Sequence, residues 1–537
     1  VDYETLCAFN PHLPPEPKEV EKPDNPMEHG SWKNLSEEDQ RLTMEYYEPK
    51  LERWNDYELA VKLRFESTAY LEAPSKLPPI VADLEQRGLL QYDRRSKYDL
   101  HPVVRGVFAG ASQPEEKKRY GQRVVDHFSS LHRSPYEQAE TLEELRPGLH
   151  IVRTLLKLGH FQQAVDAYRG DLSNAISFNV EATAEDLSLL RHFFSDGWGK
   201  LPKCVEASDA SYLATCAGNA LRKCGEKTEA LAVYVAALFS KLEREDWKNA
   251  NITIRQVAAS TGAAQALSLD VLALDLAEVI ANEQTLFKSR LTLFVAQSVL
   301  GQLSEAEATW ELLDQMGRDW SRPAYRPGDA ELDYARFQYR NGALQEKHLA
   351  NVEHLATQGK NRPTMRDLHG LRGAWRLEQG EWALAVASFA EAVRMARESG
   401  ISDAESETGL ALAKHHLGQL AEPQREAERL AHLRQPAHRL LAQLWLALGD
   451  DEQAKQHALS AYRWSWADGE PYVNRYELTR TTELLQQMNV PIPNLPPYDP
   501  ARDEPFPWEA DVRAAIEKLR AKKEAKEKGT VAETTDE

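Results

Sequence analysis

LRGAWRLEQGEWALAVASFAEAV, residues 371–393, is the stretch that decides the architecture. Two short amphipathic segments meet at Gly380, with small residues where two antiparallel helices would touch. Gly373 lies seven positions before the turn glycine, and Ala385, Phe389 and Ala392 lie five, nine and twelve after it. A small residue before the turn lets the helix axes approach. The alanine after it does the same from the other side, and the aromatic ring fills the remaining gap. The stretch predicts a tightly packed helix–turn–helix pair.

The same spacing recurs. Turn glycines between amphipathic segments are Gly159, Gly225, Gly262, Gly301, Gly342, Gly380, Gly418 and Gly449. Five positions after the glycine stand Ala164, Ala230, Ala306, Ala385 and Ala454; nine after stand Tyr168, Tyr234, Trp310 and Phe389. Seven before stand Gly218, Ala335, Gly373, Ala411 and Ala442. Several positions recurring in register make a repeat, and this one resembles the tetratricopeptide (TPR) repeat, whose unit is about 34 residues. Most units here are slightly longer, which predicts extended helices or longer loops. Lys347 and Pro423 occupy the alanine position and Phe294 a small-residue position, so those units are expected to pack less regularly.

At 537 residues the chain exceeds one ordinary core, but a solenoid grows by adding units. A net charge of −19 argues against duplex nucleic acid or an anionic membrane as partner, because both need clustered Lys and Arg. No apolar run is long enough to span a bilayer, and four cysteines without CxxC spacing make neither a disulfide framework nor a metal site. A cytoplasmic protein is expected. GxxxxGKS/T, GxGxxG, HExxH and GxSxG are all absent, so no enzyme is expected in this chain.

Before the repeats, Ser36 precedes Glu37, Glu38 and Asp39, an N-terminal helix signal. It predicts a charged helix to Glu66, broken near Pro49, with Tyr46, Tyr47, Leu51, Trp54, Tyr57, Leu59, Val61 and Leu63 available for its buried side. Residues 78–107, PPIVADLEQRGLLQYDRRSKYDLHPVVRGV, then read as a helix closed by Gly88, two short extended pieces and a second helix opening at His101–Pro102. Helix, hairpin, helix is a winged-helix pattern. Its basic residues Arg87, Arg94, Arg95, Lys97 and Arg105 are interleaved with Asp83, Glu85, Asp93 and Asp99, a solvated mixture rather than a DNA-reading face.

The pair LEQRGLL and YDLHPVVR resembles the winged-helix domain of STAND-class signalling ATPases, the group that includes NB-ARC proteins. The resemblance covers roughly residues 1–110. It implies that His101, at the family's MHD-type position, contacts bound ADP in the resting state; Pro102 replaces the family's Asp. It also implies that the ADP/ATP-binding NTPase lies upstream of Val1, that no cofactor belongs to this chain, and that activation brings oligomerisation. Bacterial members serve in defence against phage or in transcriptional control.

The expected fold class is all-α: a winged-helix domain followed by a TPR-like α-solenoid, a right-handed superhelix of helix pairs. The expected domains are 1–110 with a helical insertion at about 20–75, the array at 111–487, and 488–537 as a Pro-rich segment, a charged helix and a disordered tail. Such an array grips a protein or peptide on its concave face. Trp445, Tyr462, Arg463, Trp464, Trp466, Tyr472, Arg475 and Tyr476 cluster near its end and are the candidate partner-binding residues, with terminal packing as the alternative. His415, His416, His432 and His438 lack metal-ligand spacing, and Glu405 and Glu407 do not share a helix face. The expected function is a ligand-sensing repeat region that relays recognition through the winged helix to the NTPase. A free-standing TPR adaptor and a TPR-containing transcription regulator stay open as alternatives.

Overall fold

The computed structural model describes residues 3–17, 20–28, 32–92, 98–100, 107, 111, 113–131, 134–318 and 326–533. Contacts divide the chain into two units, Val1–Leu131 and His132–Glu537.

The first unit holds α1 (Tyr3–Ala8), α2 (Glu37–Glu66), α3 (Thr68–Gln86), β1 (Leu90–Tyr92), β2 (Tyr98–Leu100) and α4 (Pro114–Ser130). The Ser36 hydroxyl accepts from the Asp39 amide at 3.2 Å and caps α2. That helix runs unbroken through Pro49, and none of its residues is buried: Tyr46, Leu59 and Leu63 are all more than half exposed. Tyr47, Leu51, Trp54, Tyr57 and Val61, at three- and four-residue spacing, are half-buried, so the expected buried side narrows to one half-covered stripe that excludes Tyr46, Leu59 and Leu63. Leu77, Val81 and Leu90 form a small core with Leu6 and Tyr98 around them. Gly88, at φ +67°, turns α3 into the hairpin, where Leu90 pairs with Leu100 and Tyr92 with Tyr98. His101 and the start of the expected second helix lie outside the described residues. The α4 helix, which the sequence assigns to the array, packs in this unit: Phe128 lies 6.2 Å from Phe9, and the Arg123 guanidinium donates to the Asn10 carbonyl.

The regular elements among the second unit's described residues are all helices. It opens with α5 (Leu142–Lys157) and α6 (Phe161–Tyr168), paired about Gly159. An irregular stretch follows, of α7 (Asp171–Asn174), a π-helical turn at Ala175–Asn179 and α8 (Thr183–Leu190). Regular pairs then run α9 (Ala207–Lys223) with α10 (Lys227–Glu243), α11 (Trp247–Ala258) with α12 (Ala263–Ile280), and α13 (Glu283–Leu300) with α14 (Leu303–Arg318). They continue as α15 (Asp329–Arg340) with α16 (Glu346–Gln358), α17 (Arg362–Glu378) with α18 (Trp382–Glu398), α19 (Ala404–His416) with α20 (Pro423–Ala431), and α21 (His438–Leu448) with α22 (Asp451–Trp466). Last come α23 (Arg475–Gln487) and α24 (Glu509–Glu533).

The repeat code has a direct physical reading. Ala164, Ala230, Ala306, Ala385 and Ala454 are all completely buried. A Cβ on Gly218 would stand 2.4 Å from the Tyr234 ring, and one on Gly373 would stand 2.6 Å from the Phe389 ring. The glycine seven before the turn is the slot that receives the aromatic nine after it. Gly225, Gly301, Gly380 and Gly449 turn between helices at φ between +74° and +81°. The irregular units adapt. Phe294 fills its small-residue position by joining Trp310 and Phe337 in an aromatic core at 5.3 and 5.4 Å. Pro423 opens the nine-residue α20, where Ala427 takes the buried place instead.

The first helices of successive pairs, from α11 through α13, α15, α17 and α19 to α21, contact one another and form an inner row. The row curls tightly, so that residues roughly 200 positions apart meet. Arg434 pairs with Glu226, Asp468 Oδ2 accepts from the Ala264 amide at 2.9 Å, and Arg366 reaches Glu181 at 2.6 Å. At the end of the chain Trp508 is fully buried against Phe506, and α24 packs on α12.

Candidate functional site

The inner row carries charge where a solenoid core would be apolar. On α15, Asp333, Arg336 and Arg340 follow at three- and four-residue spacing, which stacks them on one helix face. Arg336 donates to Asp333 at 3.2 Å and to Asp367 of α17 at 2.8 Å. Arg366 donates to the same Asp367 at 2.7 Å and to Glu181 at 2.6 Å, and Lys223 lies 3.3 Å from Glu181. Burial alone would raise the Asp367 carboxyl; Arg336 and Arg366 outweigh it and hold it below its ordinary value. Glu181 is completely buried at φ +54°, a strained conformation kept by the charges that converge on it.

Further along the row, Arg439 holds Glu477 with two hydrogen bonds, at 2.7 and 3.2 Å. The Tyr476 hydroxyl donates to Glu378 at 2.6 Å, Arg480 lies 3.0 Å from the same carboxylate, and the Tyr339 ring sits 5.3 Å from that of Tyr476. These contacts join α23 to α15 and α17, so residues of facing walls touch across the inside of the turn. Two adjoining cavities lie inside the turn. One, of about 420 Å³, is lined by Ser298, Arg340, Asn341, Arg475, Tyr476 and Arg480. The other, of about 380 Å³, is lined by Trp382, Leu412, Leu440, Leu446 and Leu484, with Glu405, His416 and Arg439. Tyr339 and Glu378 belong to both. Burial first, and then Glu477, raise the Glu405 carboxyl.

The aromatic cluster singled out in the sequence is divided by the fold. Trp445 and Tyr462 are buried in the core. Trp466 stacks on Tyr462 at 6.0 Å and donates its ring N–H to the Pro496 carbonyl at 2.8 Å, while Tyr472 meets Tyr498 edge-on at 4.7 Å. Those two rings hold the Pro-rich segment. Arg463 and Trp464 are exposed. Arg475, paired with Glu470, and Tyr476 reach the larger cavity. His101, the expected nucleotide contact, lies outside the described residues. Tyr339, Arg340, Glu378, Trp382 and Arg439 were missed. The charged stripe of α15, on a face whose helix neighbours demand burial, is the signal that could have found Arg340.

Among the described residues no helix is long and apolar enough to cross a membrane. No protein-family profile and no curated protein matches the chain. Among solved structures, the chain is similar to a signal transduction ATPase with numerous domains (STAND) protein with a tetratricopeptide repeat sensor, from Pyrococcus horikoshii. Identity is 14% and the TM-score 0.29, over 83% of this chain. The chain spans about half of that structure, 55% of its length, and a likeness at that TM-score carries no argument about fold or function.

Proposed function

We propose that the His132–Glu537 unit is the ligand-sensing, protein-binding repeat region of a STAND-type signalling protein. The observation that carries this reading is the inner row: TPR-like pairs turn polar and aromatic side chains inward and leave two cavities between them. Residues spent on stability alone would be apolar there, because a buried ion pair is seldom better than a packed hydrophobe. Recognition passes through a winged helix at residues 78–107 to an NTPase outside this chain, where His101 contacts ADP. The helix and hairpin at residues 68–100 and the LEQRGLL and YDLHPVVR segments support that relay. The protein acts in the cytoplasm, in bacterial defence against phage, and oligomerises when triggered. A trigger shifts such a switch only by binding one state better than the other.

The test places a photo-crosslinking amino acid at Tyr476 in one variant and at Trp464, 61% exposed, in another. Adducts with a discrete protein or peptide at Tyr476 and not at Trp464 are expected. Adducts confined to Trp464 would move recognition to the outer surface. For the relay, the gene upstream of the Val1 codon is expected to encode an in-frame P-loop; without one, the adaptor reading replaces it.

A further inference from the structure

One cation on the wall of the larger cavity makes no direct ion pair among the described residues. Arg340, in the last turn of α15, donates from Nη1 to the Ser298 hydroxyl at 2.9 Å, and among the described residues no carboxylate lies within ion-pair distance. Every other guanidinium lining that cavity is neutralised: Arg475 by Glu470, and Arg480 by Glu378 and Glu483. Both carboxylates on the wall, Glu378 and Glu483, are therefore engaged. A guanidinium keeps its charge, and burying it unpaired is unfavourable until an anion arrives. Burial, and then the neighbouring Arg336, press the Arg340 pKa down, against the more distant carboxylates of Asp333, Glu405 and Glu477.

The adjoining cavity differs in kind. Trp382, Leu412, Leu440 and Leu484 make most of its wall apolar. An anion-seeking site thus sits beside a hydrophobic one, with Tyr339 and Glu378 common to both.

We infer that the two cavities form one bipartite site for an acidic–apolar peptide segment. A side-chain carboxylate of the ligand pairs with Arg340, and an apolar side chain within two positions of it enters the Trp382 cavity. Two side chains that close in an extended peptide lie within about 7 Å of each other, a reach that suits adjoining cavities. Charge complementarity selects this occupant, since a basic segment would add to the unpaired cation and a neutral one would leave it unpaired. The inference rests on the protein-binding reading above.

The test probes the full chain with an array of acetylated, amidated nonapeptides, varied at three central positions between Gly-Ser flanks. Amidation removes the terminal carboxylate, and a free-acid copy of each peptide shows whether that group substitutes. Binding is expected for peptides with Asp or Glu within two positions of Leu, Phe or Trp. Their Asn or Gln counterparts should bind about ten- to a hundredfold more weakly. R340M should abolish that acid-to-amide difference, R340K should keep its direction, and W382A should weaken the apolar preference alone. Equal melting temperatures would show the variants folded. Binding without acid preference, acid preference that survives R340M, dependence on the free C-terminus, or no peptide bound would each overturn the inference. Crosslinks at Tyr476 alongside any of those results would leave the sensing role standing.

Discussion

Gly373→Ala sets two effects of opposite sign against each other. Gly373 is inside α17, where glycine costs about 1 kcal/mol relative to alanine, so helix propensity alone says the change stabilises. The fold says otherwise. The new methyl would stand 2.6 Å from Cδ1, 2.7 Å from Cγ and 2.8 Å from Cε1 of Phe389, where carbon atoms normally sit about 3.5–4 Å apart. The ring cannot retreat, because it is 1% exposed and a Cβ position on Gly409 lies 2.4 Å from its far edge. Overpacking of this kind costs about 1–3 kcal/mol, and a ring hemmed in on two sides belongs in the upper half. After the propensity gain a net loss of about 1–2 kcal/mol remains. Urea unfolding followed by tryptophan fluorescence and by circular dichroism would measure it, two probes being needed because long repeat arrays lose cooperativity. Gly317→Ala, at an exposed helical site with nothing within 4 Å, is the control and should gain stability. Phe389→Leu should cost less in the Gly373→Ala background than in the wild type. A raised midpoint for Gly373→Ala, or equal costs for Phe389→Leu in both backgrounds, would refute the reasoning.

Burial pushes the Asp270 carboxyl up to about 7, against Thr292 and Arg255, and its Oδ1 has no hydrogen-bond partner. A carboxyl that titrates higher folded than unfolded costs stability as pH rises from about 4 to about 7. Asp270→Asn should therefore gain on the wild type across that window, by on the order of 3 kcal/mol in thermal melts. Arg366→Ala would leave the completely buried Glu181 with Lys223 as its remaining ion-pair partner and should cost about 3–5 kcal/mol, most of it restored by adding Glu181→Gln. Trp508→Ala removes a fully buried indole and should cost about 3–5 kcal/mol where the C-terminal segment docks. Limited trypsin digestion should then cut at Lys518 or Arg520 before it attacks the repeats.

What the sequence discloses here depends on how far apart the interacting residues lie. Gly373 and Phe389 belong to one repeat unit, so their register is visible in a window of two dozen residues, and with it the helix pairs. The division of the aromatic cluster was also within reach: Tyr462 and Trp466 are four apart on one face of α22, and Trp464 lies on the other. Closure of the turn is another matter. Gly262 fits the glycine spacing, yet at φ −66° it turns nothing; a Cβ there would stand 2.8 Å from the Asp468 carboxylate, from more than 200 positions away. The curvature that brings such residues together is a sum of small rotations, one per unit, so it is encoded in no single unit. The charges on the inner row are hidden for the same reason. Read alone, Asp333, Arg336 and Arg340 are an ordinary solvated helix face. They are enclosed because the row curls until α17 and α23 wall them in, and that enclosure leaves Arg340 without an ion pair of its own.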